Sequence, residues 1–160
     1  MLRHLEFWGT YNQTLALPGG FLGRSAPRLQ GLSLEYILFP GLLTLLLSSR
    51  DLVSLNLSHI SPIGHFSPEA RVTGLAALTM LETLHIAFFP QNSRPEERRT
   101  RPDSPMRVSF LPALTDFTFG GCSEYLGDLV AQIDAPRLFG CTTNLARLSF
   151  GFPKDPNFFC

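Results

Sequence analysis

The chain has 160 residues, of which 44% are hydrophobic and 16% are charged, and its formal net charge is +0. This composition is typical of a folded globular protein and excludes an intrinsically disordered one. The balanced charge gives no indication of binding to nucleic acid or to an anionic membrane.

The three cysteines, Cys122, Cys141 and Cys160, are odd in number and far apart in the chain. This spacing predicts neither a disulfide framework nor a zinc site, and we expect free thiols in a reducing compartment. Charged and polar residues near Met1 interrupt any apolar signal segment. We therefore expect an intracellular protein, cytoplasmic or nuclear, that binds no membrane and needs no cofactor.

A short pattern, Leu-x-x-Leu-x-Leu with Ile or Phe allowed, recurs along the chain and predicts a series of strands. Its copies begin at Leu2, Leu29, Leu52, Leu81, Leu114 and Leu145. Intervals of 20–29 residues are typical of leucine-rich repeats, and the longer interval after Leu81 holds a segment rich in proline and arginine. The pattern predicts an α/β fold: a leucine-rich-repeat solenoid of about five to six irregular repeats, with a curved parallel sheet on its concave side and helices and loops on its convex side.

Alternation within each copy predicts which side chains face the core. In the third copy Leu55 and Leu57 point inward, whereas Ser54, Asn56 and Ser58 point outward. Parallel strands need crossover connections, and three segments have the pattern of helices that could supply them. These segments are Pro40–Ser49, then Ser67–Leu78 with Pro68 at its first position, and then Ser123–Ile133 with an apolar stripe of Leu126, Leu129, Val130 and Ile133.

The outward residues of the six copies predict three rows across the sheet. The rows are His4, Gly31, Ser54, Thr83, Asp116 and Arg147; Glu6, Ser33, Asn56, His85, Thr118 and Ser149; and Trp8, Glu35, Ser58, Ala87, Gly120 and Gly151. The concave face of a solenoid is its usual binding surface. The candidate protein-binding residues on it are Glu6, Trp8, Glu35, Asn56, His85, Asp116 and Arg147. Trp8 is the best single anchor, with the alternative that it only covers an open end of the array.

We interpret residues 1–160 as one domain with two irregular segments. Residues 90–107 are charged and almost without apolar side chains, which predicts a disordered loop inserted into one repeat. Residues 139–160 match the repeat pattern poorly. The phrase Ala-Pro-Arg-Leu occurs at 26–29 and again at 135–138, so the last strand could follow Leu138 instead of Leu145, and the sequence leaves both registers open.

A search for catalytic or metal-binding chemistry gives only weak signals. The segment Gly19–Ser25 departs from a phosphate-binding loop in its glycine spacing and has Arg24 where lysine is needed. The four histidines form no zinc-binding pattern. Ser123 lacks the surroundings of a catalytic serine, and its place before a predicted helix indicates a cap. We therefore predict no catalytic, cofactor-binding or metal-binding residue, and no enzyme.

Three segments carry a resemblance to a known family. They are "FLGRSAPRLQGLSLEYILFP" (21–40), "SPEARVTGLAALTMLETLHIAF" (67–88) and "LPALTDFTFGGCSEYLGDLVAQIDAPRL" (111–138). Over residues 15–138 the chain resembles the leucine-rich-repeat-like region that follows the F-box in fungal F-box proteins. The resemblance implies the substrate-recognition repeats of a cullin-type ubiquitin ligase subunit.

Two features depart from that family pattern. The first copy begins at Leu2 with no F-box before it, so docking on the ligase adaptor is not expected and the array looks truncated. The ninth repeat position, usually Asn or Cys, reads Thr10, Ile37, Ile60, Phe89, Cys122 and Pro153. Apolar packing should therefore replace the usual asparagine ladder.

Three hypotheses follow for function. The first is a non-enzymatic protein-interaction module, whose target the sequence does not identify. The second is a truncated repeat fragment without binding activity of its own. The third, which the motifs support least, is a small hydrolase.

Overall fold

The computed structural model describes residues 2–10, 15–24, 26–60, 68–88, 109–121 and 130–145. Within these ranges it has ten strands, two α-helices and one 3₁₀ turn. In chain order they are β1 (His4–Trp8), β2 (Leu15–Ala16), the 3₁₀ turn (Phe21–Arg24), β3 (Gly31–Glu35), β4 (Ile37–Leu38), α1 (Leu42–Ser48), β5 (Ser54–Ile60), α2 (Pro68–Ala76), β6 (Thr83–Phe88), β7 (Ser109–Phe110), β8 (Asp116–Gly121), β9 (Ile133–Asp134) and β10 (Gly140–Leu145).

Six of these strands form one parallel sheet in the order β1-β3-β5-β6-β8-β10, which is also their order in the chain. Two short parallel pairs, β2 with β4 and β7 with β9, accompany the main sheet. The chain is therefore an α/β protein with a parallel sheet, which confirms the predicted α/β class and the predicted parallel strand arrangement.

Alternating leucines explain why these segments form strands with one buried side. Across the sheet Leu32 pairs with Leu55, Leu55 with Leu84, and Leu84 with Phe117. All four side chains are at most 3% exposed. Because the same motif positions meet on neighbouring strands, their side chains form one continuous core. Its burial stabilises the fold by about 25 cal/mol for each Å² of apolar surface removed from water.

Helix α1 covers part of this core with Leu42, Leu45 and Leu46. It begins two residues later than predicted, because Pro40 and Gly41 form a turn in which Leu42 N–H donates to the carbonyl of Phe39 (3.0 Å). At the other end, the hydroxyl groups of Ser48 and Ser49 donate to the carbonyl of Leu45, both at 2.8 Å. Such serine bonds compete with the helical ladder and favour the end of the helix.

Helix α2 begins at Pro68, the first position predicted for it, and the predicted cap Ser67 lies outside the described residues. Among the side chains of α2 that the structure describes, Val72 and Leu75 are buried and apolar. Gly74 faces α1, where a β-carbon would meet Leu43 and Leu46 at 3.3 Å. The glycine therefore allows the two helices to approach closely.

The third predicted helix is wrong at its carboxyl end. Val130 is helical, as predicted, although it is 47% exposed, but Ile133, the last member of the predicted apolar stripe, lies in β9. Pairing with β7 determines this conformation: Ser109 N–H donates to the carbonyl of Gln132 (2.7 Å), and Leu111 N–H donates to that of Asp134 (2.8 Å). The rest of the predicted stripe, Leu126 and Leu129, lies outside the described residues.

The last described strand, β10, pairs in the Leu138 register. Cys141 pairs with Phe117 and Thr143 with Phe119, so these two residues take the places of motif leucines. Both Ala-Pro-Arg-Leu phrases form a turn in which the leucine N–H donates to the alanine carbonyl, at 3.0 Å in the first copy and 3.2 Å in the second. The first turn leads into β3 and the second into β10, whereas the leucine spacing that begins at Leu145 continues outside the described residues.

The predicted loop, residues 90–107, lies outside the described residues, as does the segment 146–160. At the ninth repeat position, the prediction that apolar packing replaces the asparagine ladder is confirmed at Ile37 and Ile60, which are 3% and 7% exposed, but not at Thr10, which is exposed. Phe89, Cys122 and Pro153 lie outside the described residues.

Candidate functional site

The outward residues of the six strands form one surface, which we call the polar face. In register across the sheet, its rows are His4, Gly31, Ser54, Thr83, Asp116 and Gly140; Glu6, Ser33, Asn56, His85, Thr118 and Thr142; and Trp8, Glu35, Ser58, Ala87 and Gly120, whose backbone pairs with Asn144. The first five members of each row are those that the sequence predicts.

The sixth members differ because the Leu138 register is the one observed. Gly140 stands beside Asp116, where the Leu145 register predicts Arg147. Arg147 itself lies outside the described residues. A β-carbon at Gly140 would lie 2.7 Å from Oδ1 of Asp116, so the Asp116 carboxylate lies over this glycine.

An irregularity at the carboxyl ends of β3 and β5 brings two rings onto the edge of the polar face. In β5 the pairing with β6 skips His59, because Ser58 pairs with Ala87 and Ile60 with Phe88. Tyr36 occupies the corresponding place between β3 and β4. Both residues have a φ of 55°, a left-handed conformation that costs free energy in residues other than glycine and that is enriched at functional sites.

The Tyr36 and His59 rings stack on each other, with centroids 4.3 Å apart and planes inclined by only 6°. Tyr36 N–H also donates to the carbonyl of Ser58 (3.2 Å), which joins the two irregular segments through the backbone. The two extra residues therefore support each other, and together they form a flat aromatic surface beside the third row of the polar face.

Two ionisable neighbours surround this stack. Nδ1 of His59 lies 3.6 Å from Oε1 of Glu35, and both side chains are 38% exposed. On the next strand, burial lowers the pKa of His85 below its ordinary value of 6.5. The nearby His59 lowers the pKa of His85 further, whereas Glu35 acts in the opposite direction. The central strands thus hold two imidazoles close to one carboxylate.

Asn56 and Ser58 form the middle of the polar face and are joined by a hydrogen bond. The Ser58 hydroxyl donates to Oδ1 of Asn56 at 2.6 Å. Ser58 stands in the outward row, as predicted, but it is only 8% exposed. Its small side chain lies between Glu35 and Ala87 in the third row, next to the bulge at His59.

The outer strands place the remaining candidate residues farther from this centre. Trp8 stands next to Glu35 across the sheet and is 66% exposed, while Glu6 is exposed on the same strand. Asp116 is exposed on β8, beyond His85. The structure thus brings Glu35, Asn56 and His85 close together and places Glu6 and Trp8 on one side of them and Asp116 on the other.

Tyr36 and His59 belong to the site but are absent from the sequence prediction. A signal for them exists, because both stand at the eighth position of consecutive repeat copies and both carry a ring. Phe88 stands at the same position of the next copy but is buried, at 6% exposure. Only rings that carry polar atoms remain at the surface here, and this distinction separates His59 from Phe88.

Within the described ranges, His, Cys, Asp and Glu form no group of three or more that could hold a metal ion. No helix in the same ranges is long and apolar enough to cross a membrane.

A comparison of the sequence with protein-family models, with curated proteins and with solved structures finds no match in any of the three. A functional interpretation must therefore start from the sheet and its polar face.

Proposed function

We propose that the chain is a non-enzymatic protein-interaction module whose polar face receives a partner protein. We further propose that the sheet belongs to an irregular leucine-rich-repeat solenoid of five to six repeats. By its resemblance to the repeats of fungal F-box proteins, the module would hold the target of a ubiquitin ligase. Docking on the ligase adaptor is not part of the proposal.

One observation carries the proposal: the six strands follow chain order and keep their motif register across the whole sheet. Each strand adds its outward residues to the same three rows. Such a surface grows with each repeat without requiring a closed pocket, which suits the recognition of a protein better than that of a small molecule.

The local strain at Tyr36 and His59 supports the same proposal. Left-handed conformations at residues other than glycine persist where the surroundings enforce them, and they are frequent in binding sites. Here they place a stacked pair of rings beside Glu35. Rigid aromatic side chains are favoured contacts at protein interfaces because they bury a large area with few rotatable bonds.

A blocking substitution on the polar face tests the proposal. Thr83→Arg places a large side chain in the middle of the first row, where Thr83 is exposed. Met80→Arg is the matched control, because Met80 is 55% exposed in the turn before β6 and is not part of the polar face. We expect partners captured by the full chain and identified by mass spectrometry to be lost with Thr83→Arg and retained with Met80→Arg.

Circular dichroism melting of all three proteins establishes that both variants fold. Partners that bind the two variants equally would show that the polar face is not the binding surface. A wild-type chain that melts without cooperativity and captures no partner would favour the hypothesis of a repeat fragment without activity of its own.

A further inference from the structure

The charge on the polar face differs from that of the chain as a whole. The chain is formally neutral, with 13 basic and 13 acidic residues. The described polar face has three carboxylates, Glu6, Glu35 and Asp116, and neither lysine nor arginine among its members. The described members of the polar face therefore carry a negative formal charge, although the chain as a whole is formally neutral.

None of the arginines whose side chains the structure describes is a member of the three rows of this face. Arg3 precedes β1, Arg28 and Arg50 lie in the turns before β3 and β5, and Arg137 lies in the turn before β10. The carboxylates of Glu6 and Asp116 are exposed, and that of Glu35 is 38% exposed, so all three can reach a partner.

Trp8 adds an independent feature to the same surface. It is 66% exposed, and it stands between the two carboxylates of this side, with Glu6 on its own strand and Glu35 next to it on β3. An exposed indole beside carboxylates suits a cationic side chain, because the ring face attracts a cation and the carboxylates neutralise it.

We propose that the polar face binds an extended segment of a partner protein that carries lysine or arginine side chains. These cations would lie against Glu6, Glu35 and Asp116, and one of them would pack on Trp8. This inference rests on the proposed function and deepens it by naming the chemistry of the partner.

The spacing of the carboxylates fits a short extended segment. Glu6 and Glu35 lie on neighbouring strands one row apart, which separates their Cα atoms by about 8 Å. Glu35 and Asp116 lie three strands and two rows apart, or about 20 Å. A peptide of about ten residues, at about 3.3 Å per residue, spans the full set.

The same charges disfavour a nucleic acid. Binding to a phosphate backbone depends on lysine and arginine, which the described polar face lacks. The carboxylates therefore favour a basic polypeptide over a nucleic acid as the partner.

The chain provides its own reporter for the test, because Trp8 is its single tryptophan. The probe is a synthetic peptide of about ten residues in which lysine alternates with serine, titrated into the full chain while Trp8 emission is recorded. We expect a saturable change in emission that weakens as salt is added, because exposed charges are screened beyond about 10 Å at 0.1 M ionic strength. A glutamate–serine peptide of the same length should produce no saturable change.

Two double variants with the same change in net charge distinguish the effect of the polar face on binding from the effect of the overall charge. Glu6→Gln with Glu35→Gln removes two carboxylates from the face, whereas Asp51→Asn with Asp134→Asn removes two exposed carboxylates elsewhere. We expect the first pair to weaken binding of the lysine peptide by roughly threefold to tenfold, the range for two exposed ion pairs, and the second pair to leave it within about twofold of wild type.

Equal weakening in the two double variants, or equal binding of the lysine and glutamate peptides, would overturn the inference. So would a partner that loses binding with Thr83→Arg but has no basic segment, although the proposed function would then stand. If Thr83→Arg leaves every captured partner bound, the proposed function fails as well. The two failures are therefore distinguishable.

Discussion

The central and outer strands of the main sheet share one motif but differ in burial. In β3 and β5 the inward leucines are at most 2% exposed, whereas Leu5 and Phe7 of β1 are only half-buried. At the other side, Cys141 of β10 is half-buried at a position that leucine occupies in the central strands.

The difference shows that the motif determines the direction of a side chain and the neighbours determine its burial. Leu55 has a motif partner on each side, Leu32 and Leu84, while Leu5 has Leu32 on one side only. A leucine stabilises the fold in proportion to the apolar area that it buries. The same residue type at the same motif position should therefore contribute more in the centre than at the outer strand.

The largest expected effect comes from a charge in the centre. Leu55→Asp places a carboxylate at a position that is 0% exposed, and we expect it to lower the free energy of unfolding by about 3–5 kcal/mol. Ser54→Asp, on the opposite side of the same strand, should cost within about 0.5 kcal/mol. Urea unfolding followed by circular dichroism measures both, and equal losses would contradict the orientation of β5.

A matched pair of alanine substitutions tests the contrast itself. Leu55→Ala should cost about 3 kcal/mol, because it leaves a cavity in a fully buried site. Leu5→Ala should cost about 1 kcal/mol, because the side chain is already half exposed and water fills the space. Chemical denaturation measures the free energy of unfolding of both variants. A larger loss in Leu5→Ala than in Leu55→Ala would show that burial by neighbouring strands does not determine what each leucine contributes.

Two glycines test how closely β1 approaches β3. A β-carbon at Gly9 would lie 2.5 Å from the backbone carbonyl oxygen of Tyr36, which has little freedom to move. We expect Gly9→Ala to cost about 1–2 kcal/mol through this overlap. At Gly31 the contact is the imidazole of His4, an exposed side chain that can turn away.

Gly31→Ala is therefore the control, and we expect it to cost less than about 0.5 kcal/mol. Thermal melting of both variants checks the order. A larger loss of thermal stability in Gly31→Ala than in Gly9→Ala would contradict the close approach of β1 to the backbone of Tyr36.

Much of the sheet could be predicted from the sequence because its determinants are local and periodic. A two-residue alternation around fixed leucines predicts each strand and which of its side chains are buried, as Leu32, Leu55 and Leu84 illustrate. The start of α2 at Pro68 follows from the conformational preference of proline at a first helical turn.

The sequence is insufficient where pairing between strands or a bulge determines the local structure. The stripe that ends at Ile133 is helical in spacing, but pairing with β7 places this residue in a strand. The sequence leaves the last register open between Leu138 and Leu145, and β10 pairs in the Leu138 register. His59 was missed because a one-residue bulge changes the direction of a side chain without changing the motif around it.

The smallest expected effect concerns pH and the centre of the polar face. Burial keeps the pKa of His85 below its ordinary 6.5, so the folded state holds this imidazole neutral when an unfolded chain would already bind a proton. Above pH 6.5 both states are neutral at this residue, and it adds no dependence on pH. As pH falls through 6.5 toward the lowered pKa, the unfolded state takes up more protons and the folded state loses stability.

Comparison of wild type with His85→Gln isolates this contribution, because glutamine is polar and does not titrate. His85 lies between Asn56 and Thr118, which are uncharged, so Glu35 and His59 are the charged or titratable groups that act on it from the packed strands. The loss should stay below about 1 kcal/mol, since solvent screens a half-buried ring. As pH is lowered from 7.5 to 5, the urea midpoint should fall less in the variant than in wild type. An equal fall in the two proteins would mean that the central strands do not disfavour a charged His85.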